Sequence, residues 1–254
     1  MLIDTHSHIY LDKFKPDIAA VIQRADAEGV MKIYLPAIDS TETGNMLELE
    51  AAYPGRCIAM MGLHPCSVKE NFRAELEMVK TWLAKRKFAA VGEIGLDFYW
   101  DKAFTEQQYE AFRMQIEWAL EYDLPIVIHT RNAMSETIAL VKEYVPRGLR
   151  GIFHCFGDDY AHAKQIMDMG FYLGIGGVVT YKKSGLADTL AKTGISHVVL
   201  ETDAPYLTPE PFRGKRNESS YLKYVVSKLA DTLKIPADEV AAVTTANAQK
   251  IFGA

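Results

Sequence analysis

Two histidines one residue apart stand near the start of the chain, in the segment Asp4-Thr5-His6-Ser7-His8. Side chains alternate between the two faces of an extended strand, so His6 and His8 are predicted to point the same way. Two imidazoles on one face form half of a divalent-metal site. More residues of metal-binding types follow, each where an apolar run ends: Glu93, His129, His154 and Asp203. Six such residues at successive strand ends are a much stronger signal than one His-x-His pair.

Six ligands are too many for one tetrahedral zinc and suit two metal ions that share a bridge. A carboxylate can bridge with its two oxygens, whereas a neutral imidazole cannot, so Glu93 is the best candidate for the bridge. Asp203 is predicted to be a ligand and also the acid–base group, since a carboxylate that contacts the attacking water can accept its proton. Glu93 and Asp203 are therefore the predicted catalytic residues. Imidazole and carboxylate ligands admit Zn, Mn, Ni or Fe, and Mg less readily.

The elements that must position these residues follow an alternating pattern. Short runs rich in β-branched and aromatic residues are followed by longer amphipathic stretches. The predicted strands are Leu2–His8, Lys32–Ile38, Cys57–His64, Ala89–Leu96, Ile126–Thr130, Gly151–Phe156, Phe171–Val179 and Val198–Asp203. The predicted helices are Pro16–Glu28, Thr41–Ala52, Arg73–Arg86, Thr105–Tyr122, Ser135–Tyr144, Tyr160–Met169, Leu186–Lys192, Ser220–Leu233 and Ala237–Phe252.

Eight strand–helix units fit a (β/α)₈ TIM barrel that forms one domain over residues 1–254, with an extra C-terminal helix packed on the outside. In such a barrel the carboxyl ends of the strands converge, which would bring the six ligands together. An open doubly wound sheet is the alternative, but it needs a glycine-rich loop after the first strand, and Thr5-His6-Ser7-His8 is nothing of that kind.

Local signals mark where helices begin and end. Thr105 and Gln108 have the spacing of a capping box. Gly29, Gly170 and Gly194 stand where helices should stop, and Pro236 suits the entry to the last helix.

Composition narrows the class of protein. At 49% hydrophobic residues the chain can bury a sizeable core, and a net charge of −5 argues against a broad basic surface that grips duplex nucleic acid. Three scattered cysteines without a C-x-x-C pair predict neither a disulfide framework nor a thiolate zinc site. No apolar run approaches the roughly 18 residues that span a bilayer, and no apolar leader is visible. We expect a cytoplasmic protein with no membrane partner.

Several residues near the predicted site could bind an anionic substrate. Arg213 and Arg216, with Lys215, surround Gly214 beyond the last strand, and Arg131 follows His129 by two residues. Arginine forks match phosphate oxygens, although a basic loop also fits a solvated turn. Tyr99, in the aromatic run 98–100, could stack on a base or fill the barrel top. His64 ends the third predicted strand and could contact substrate or belong to a turn.

Seven short motifs follow one another along the chain: His6-Ser7-His8, Gly62-Leu63-His64-Pro65, Gly92-Glu93-Ile94-Gly95-Leu96-Asp97, His129-Thr130-Arg131, His154-Cys155-Phe156, Glu201-Thr202-Asp203-Ala204-Pro205-Tyr206 and Pro211-Phe212-Arg213-Gly214-Lys215-Arg216-Asn217-Glu218. Taken in order, they resemble those of the TatD family of metal-dependent deoxyribonucleases. The match runs from residue 3 to the C-terminal helix. The resemblance implies a TIM barrel of the wider amidohydrolase grouping. It also implies one metal ion held by His6, His8, Glu93 and Asp203, and a second held by Glu93, His129 and His154.

Three functions compete at this point. The first is a phosphodiesterase that acts on nucleic-acid ends as a 3′→5′ exonuclease or DNase, through a water activated by two metal ions; single-stranded DNA is the expected partner, with RNA or tRNA as alternatives. The second is an ester or amide hydrolase such as a D-aminoacyl-tRNA deacylase. The third is a metal-bound scaffold without catalysis. The loop with Arg213 and Arg216 favours the first, because a small neutral substrate would not need it, and no protein partner can be inferred.

Overall fold

Eight strands alternate with nine helices in the computed structural model of the protein, which describes residues 1–253. The strands are β1 Leu2–Asp4, β2 Val30–Leu35, β3 Cys57–Ala59, β4 Val91–Asp97, β5 Ile126–Arg131, β6 Gly151–Phe153, β7 Tyr172–Ile175 and β8 Val198–Leu200. The helices are α1 Ile18–Ala27, α2 Ser40–Ala52, α3 Phe72–Lys85, α4 Thr105–Glu121, α5 Met134–Tyr144, α6 Tyr160–Asp168, α7 Leu186–Thr193, α8 Leu222–Leu233 and α9 Ala237–Phe252.

All paired strands are parallel and follow the chain order, β1-β2-β3 in one sheet and β4 to β8 in the other. Backbone hydrogen bonds join the edges of the two sheets. At one seam Gly92 N–H donates to Met61 O at 3.0 Å, and at the other Thr5 N–H donates to Leu200 O at 2.9 Å. This order of eight parallel strands confirms the predicted (β/α)₈ TIM barrel.

The barrel interior has an apolar floor. Each of the eight strands or its immediate flank contributes one buried side chain to it: Ile3, Tyr34, Met60, Ala90, Val127, Ile152, Tyr172 and Val199. Helix α9 contributes Ala248 and Ile251 to the same cluster, and the ring of Phe252 stacks on Tyr34 with centroids 3.8 Å apart. The prediction that the last helix packs on the outside was therefore wrong, since α9 covers the floor of the barrel.

Two residues beyond this floor, every position except Pro36 has a polar side chain or is glycine. His129 follows Val127, His154 follows Ile152, and Glu201 follows Val199 at this spacing. Because side chains alternate along a strand, all three continue the inward-facing row. The apolar floor thus supports a polar layer at the carboxyl end of the barrel, which we call the mouth.

Six of the eight strands end earlier than the sequence predicts, whereas β4 and β5 each end one residue later. Hydrogen-bonded pairing stops at Asp4, Phe153 and Leu200, so His6, His8, His154 and Asp203 follow the strands rather than end them. The backbone leaves the extended conformation there because its N–H groups bond to neighbouring loops. His8 N–H donates to Ala204 O at 2.7 Å, and Asp203, with φ at +55°, donates its N–H to His6 O at 2.9 Å.

The helix signals had mixed outcomes. Gly29, Gly170 and Gly194 follow α1, α6 and α7 with φ values of +73°, +79° and +71°, and Pro236 precedes α9, as predicted. The capping box was wrong, because the buried Gln108 side chain bonds elsewhere. Its Oε1 accepts a hydrogen bond from Asp97 N–H at 2.8 Å, and its Nε2 donates to Asp97 O at 3.1 Å.

Gln115, two turns further along α4, holds a second loop in the same manner. Its Oε1 accepts from Leu63 N–H at 2.7 Å and its Nε2 donates to Leu63 O at 3.3 Å. Backbone groups buried away from water must find partners, and these two glutamines supply them where the chain leaves the sheet. Helix α4 therefore fixes the backbone at Asp97 and beside His64. No helix in residues 1–253 is long and apolar enough to cross a bilayer.

Replacing Gln115 by leucine should destabilise the fold. The change leaves the buried Leu63 N–H and C=O unpaired, at a cost of about 1–3 kcal/mol for each group. We expect the thermal midpoint to fall by at least roughly 4–8 °C, the value for the lower limit of about 2 kcal/mol for both groups on a scale of about 2–4 °C per kcal/mol for a chain of this size. Gln165→Leu is the matched control, since Gln165 is exposed on α6. Equal midpoints for the two variants in thermal unfolding would contradict the assignment.

Candidate metal centre

A buried carboxylate at the end of β1 ties together the loops that form one side of the centre. Asp4 Oδ1 accepts hydrogen bonds from Thr202 N–H at 2.9 Å and His6 N–H at 3.4 Å. Its Oδ2 accepts from the hydroxyls of Thr202 at 2.6 Å and Ser219 at 2.7 Å. Asp4 therefore holds the loop with the two early histidines against the loop with Asp203.

Glu93 lies at the centre of the cluster and is 2% exposed. Its Oε2 is 3.1 Å from His6 Nε2 and 3.4 Å from His8 Nε2. Asp203 joins the same group, with Oδ1 at 3.7 Å from His6 Nε2 and 3.6 Å from His8 Nε2. One oxygen of Glu93 thus faces His6, His8 and Asp203.

The other oxygen of Glu93 faces a second group of imidazoles. Its Oε1 is 2.9 Å from His129 Nδ1, 3.4 Å from His154 Nε2 and 3.3 Å from His64 Nε2. Four predicted imidazole ligands therefore surround Glu93, whose two oxygens divide them into two pairs, and Asp203 joins the pair His6 and His8. His6 and His154, one from each pair, stack with ring centroids 3.6 Å apart.

Hydrogen bonds behind His8 decide which of its nitrogens carries the proton. Tyr10 donates its hydroxyl hydrogen to Pro36 O at 2.6 Å, because a carbonyl can only accept. The same hydroxyl oxygen then accepts from His8 Nδ1–H at 2.9 Å. The neutral ring therefore presents a lone pair at Nε2, the atom that faces Glu93 and Asp203.

His129 is fixed by a carboxylate behind it. Its Nε2–H donates to Asp97 Oδ2 at 2.8 Å, so its lone pair is at Nδ1, which faces Glu93. Burial raises the pKa of Asp97, but hydrogen bonds from His129 and from Trp100 and Tyr99 N–H outweigh this and hold the pKa well below its ordinary value. Asp97 is therefore ionised and acts only as an acceptor.

Glu201 performs the same task for His154. Its Oε1 accepts from His154 Nδ1–H at 3.0 Å and from Cys155 N–H at 2.6 Å, which leaves the lone pair of His154 at Nε2, towards Glu93. A Cβ on Gly174 would lie 2.1 Å from Glu201 Oε2, so only glycine at that position leaves room for this carboxylate. Carboxylates that orient metal-binding histidines are a recurrent feature of metal sites.

This donor set fits divalent cations. In their neutral forms His8, His129 and His154 would direct lone pairs at carboxylate oxygens, and such acceptors repel one another unless a proton or a metal ion lies between them. Ligand atoms of His6, His8 and Asp203 lie within 4.8 Å of one another, as do those of His6, Glu93 and His154. His6 Nε2 faces both carboxylates, whereas its Nδ1 is buried without a hydrogen-bond partner.

The pKa shifts within the cluster around Glu93 also indicate that it favours a bound cation. Burial lowers the pKa of His154, but the carboxylates of Glu201 and Glu93 outweigh burial and raise it to about 10. Burial raises the pKa of Asp203, opposed by His154 and His8, to about 6. The cluster thus attracts positive charge strongly, which a metal ion supplies as well as a proton does.

His64 differs from the other imidazoles of the centre. Its Nδ1 accepts a hydrogen bond from Cys66 N–H at 3.0 Å, so the neutral ring carries its hydrogen at Nε2, towards Glu93 Oε1. It therefore presents a donor to the mouth rather than a lone pair. The short helix Pro65–Ser67, which begins at this hydrogen bond, fixes the orientation of the ring.

Two of the predicted substrate-binding residues lie together on one side of the mouth. The guanidinium carbon of Arg131, at the end of β5, is 3.8 Å from the centre of the Tyr99 ring and 5.1 Å from that of Trp100. Tyr99 and Trp100 are 52% and 68% exposed. The aromatic run 98–100 therefore does not fill the barrel top, because two of its rings face solvent around a cation.

Arg213 and Arg216 have different surroundings. Arg213 is exposed, with its guanidinium carbon 4.4 Å from the centre of the Tyr181 ring. Arg216 binds Asp17 through both η nitrogens, at 2.9 and 2.7 Å, and donates to Lys13 O at 2.7 Å. The prediction that Arg216 binds phosphate is therefore corrected: this guanidinium is committed to a structural ion pair near α1.

Sequence reasoning missed Asp97 as part of the centre. The signal was available, because Asp97 lies four residues beyond Glu93 in the same predicted strand region and is of a ligand type. Tyr10 could not have been found in this way, since its role depends on the position of Pro36 O. Glu201 both orients His154 and holds the backbone N–H of Cys155.

Asp97→Asn should weaken metal binding by about 10- to 100-fold, the usual effect of losing a carboxylate that orients a ligand. The amide keeps the shape but loses the charge that holds the Nε2 hydrogen of His129. Chelator competition measures the metal affinity. The matched control is Asp101→Asn, because Asp101 pairs with Lys69 on the surface. An unchanged affinity in Asp97→Asn would contradict the orienting role.

The comparisons with known proteins agree with this geometry. The model of the family described as TatD related DNase matches residues 3–253. The chain is 38% identical over 253 residues to the metal-dependent hydrolase YabD of Bacillus subtilis, covering 99% of both proteins. The crystal structure of YjjV, a TatD homolog from Escherichia coli, matches with a TM-score of 0.93 at 31% identity, covering 100% of this chain and 98% of that one. The chain therefore belongs to the TatD family of metal-dependent hydrolases.

Proposed function

We propose that the protein is a two-metal phosphodiesterase that removes nucleotides from nucleic-acid ends, as a 3′→5′ exonuclease with single-stranded DNA as its main substrate. The observation that carries the proposal is the contrast among the arginines. Eight of the ten pair with carboxylates, whereas Arg131 and Arg213 have no acidic partner within residues 1–253. Both lie on loops or strand ends at the mouth, where they can bind phosphate oxygens.

The two sets of donors around Glu93 support two divalent ions, one with His6, His8 and Asp203 and one with His129 and His154. The ligand types fit Zn, Mn or Ni, and Mg less closely. Such ions, when bound, polarise a phosphoryl oxygen and make water a better nucleophile at neutral pH. Six ligands that include two carboxylates leave the loaded centre with a charge of about +2, which attracts a phosphodiester.

Asp203, His64 and Tyr99 would assist the metal ions by accepting a proton, binding a phosphoryl oxygen and stacking on a base. Asp203 is the most exposed of the central carboxylates, at 15% of its side chain, so it can take up the proton that the attacking water loses. His64 presents its Nε2–H towards the mouth and can donate to a phosphoryl oxygen. Tyr99 offers an exposed ring on which a terminal base can stack, beside the guanidinium of Arg131.

A D-aminoacyl-tRNA deacylase is the competing reaction, because the same centre can attack a carboxylic ester. The two functions differ in the bond cleaved, so parallel assays separate them. Metal-loaded protein is incubated with end-labelled single-stranded DNA, duplex DNA and D-aminoacyl-tRNA. We expect release of mononucleotides from the single strand. Release of a D-amino acid without loss of nucleotides would contradict the exonuclease proposal and support the deacylase. Asp203→Asn is the control, since any turnover that it retains comes from contaminating enzymes.

Glu93→Gln should bind less than half of the wild-type amount of metal and lose at least about 100-fold in turnover, because one charge faces both donor sets. Elemental analysis measures the metal, and circular dichroism tests the fold. His162→Gln provides a control, since His162 lies on α6 beside two surface aspartates. Wild-type metal content in Glu93→Gln would disprove the bridge.

Arg213→Ala and Arg216→Ala should have opposite effects. Arg213→Ala should raise KM for oligonucleotides and lower the salt slope of binding by about 0.7, the value for one phosphate contact on a single strand. Arg216→Ala should instead lower the thermal midpoint, because it leaves Asp17 without its partner. Steady-state kinetics across a salt series, with a melting curve for each variant, tests both. An unchanged KM in Arg213→Ala would remove the main support for a polyanionic substrate.

A further inference from the structure

A basic cleft lies at the mouth between the loops that follow β7 and β8. Its volume is about 670 Å³, and its lining includes Lys182, Lys183 and Arg213. Glu210 is the one acidic side chain among the lining residues. The cleft is separate from the metal centre, because no residue of the centre lines it.

The walls of the cleft are tied to each other. Tyr181 donates its hydroxyl hydrogen to Thr208 O at 2.9 Å, and Glu210 N–H donates to Thr180 Oγ1 at 2.9 Å. These bonds join the loop after β7 to the loop after β8. The Tyr181 ring also supports the guanidinium of Arg213 from below. The cations are therefore carried on loops with fixed relative positions.

The positive charges in the cleft are not neutralised. Among residues 1–253, Lys182, Lys183 and Arg213 form no salt bridge, and Arg213 differs in this from the eight arginines that pair with carboxylates. Three cations against Glu210 leave a local charge of +2 in a chain whose net charge is −5. A local positive field of this kind attracts anions even when the net charge of the whole protein is negative.

The cleft lies across the barrel from the exposed rings of Tyr99 and Trp100. Those rings follow β4. In a cycle of eight strands, β8, which precedes Arg213, is four strands away and directly opposite, and β7, which precedes Lys182 and Lys183, is three strands away. Strands spaced about 4.8 Å apart and tilted about 36° give a barrel roughly 15 Å wide. The metal centre lies between these two sides.

We infer that this cleft binds the backbone phosphates of the nucleic-acid strand on the far side of the bond that is cleaved. The inference rests on the proposed function, and it adds a direction for the substrate. The terminal base stacks on Tyr99 and Trp100, the scissile phosphate lies at the metal centre, and the rest of the strand leaves past Lys182 and Lys183. A dinucleotide without terminal phosphates has no phosphate beyond the one at the metal centre, so it would leave the cleft empty.

The test is equilibrium binding of fluorescent phosphorothioate oligonucleotides, which reports affinity without turnover. Metal-loaded wild-type protein is compared with Lys182→Gln/Lys183→Gln on a 12-mer and on a dinucleotide. Lys85→Gln/Lys87→Gln is the matched control, because it removes the same charge at the amino end of β4, on the opposite face of the barrel.

We expect the cleft variant to bind the 12-mer about three- to tenfold more weakly and to lower its salt slope by about 1.4, the value for two phosphate contacts at about 0.7 each. Its affinity for the dinucleotide should equal that of wild type, and the control should match wild type on both. Equal loss on both lengths, or no loss on the 12-mer, would overturn the inference.

The outcomes also separate this inference from the proposed function. If wild-type protein hydrolyses no phosphodiester yet binds the 12-mer through Lys182 and Lys183, the cleft stands and the exonuclease proposal fails. If wild-type protein degrades single strands and the cleft variant binds the 12-mer as tightly as wild type, the exonuclease proposal stands and the cleft inference fails. Absence of any oligonucleotide binding by wild-type protein overturns both.

Discussion

The buried carboxylate of Glu93 is the constraint on which the centre depends. A charge out of contact with water must be matched by polar partners, and five imidazoles surround this one. Three of these rings are in turn fixed from behind by Tyr10, Asp97 and Glu201, so their inward lone pairs cannot rotate away. The result is a rigid cluster of acceptors that favours cations, and its rigidity comes from residues that hold no metal themselves.

The barrel makes this arrangement possible by separating packing from chemistry along each strand. The apolar floor, closed from below by Ile251 and Phe252 of α9, provides the hydrophobic core. Two residues further along, the same inward-facing rows carry His129, His154 and Glu201. The strands stop within a few residues of this layer, and the loops beyond them are free to carry Asp203, Arg213 and the lysines of the cleft.

The sequence was sufficient to predict features that depend on local pattern. Alternating strands and helices predicted the barrel, and residues of ligand types at the ends of apolar runs predicted the cluster of Glu93 with four imidazoles and Asp203. It was not sufficient where a side chain chooses between distant partners. Gln108 could cap α4 or hold Asp97, and Arg216 could bind phosphate or Asp17; in both cases the partner is set by tertiary packing. The position of α9 failed for the same reason, because an amphipathic helix does not specify which face of the barrel it covers.

Charge pairing explains how an acidic protein can present a surface suited to an anion. Most arginines of the chain are neutralised by carboxylates, as in the pairs Arg113–Glu143 and Arg147–Glu117 on the outer helices, so few arginines away from the mouth are available to bind an anion. The unpaired cations Arg131 and Arg213 rest on aromatic rings, which support a guanidinium without neutralising it. Acidic partners would cancel the charge that an anionic ligand needs, whereas Tyr99 and Tyr181 preserve it. The use of rings rather than carboxylates under these two arginines is therefore the feature that distinguishes the mouth from the rest of the surface.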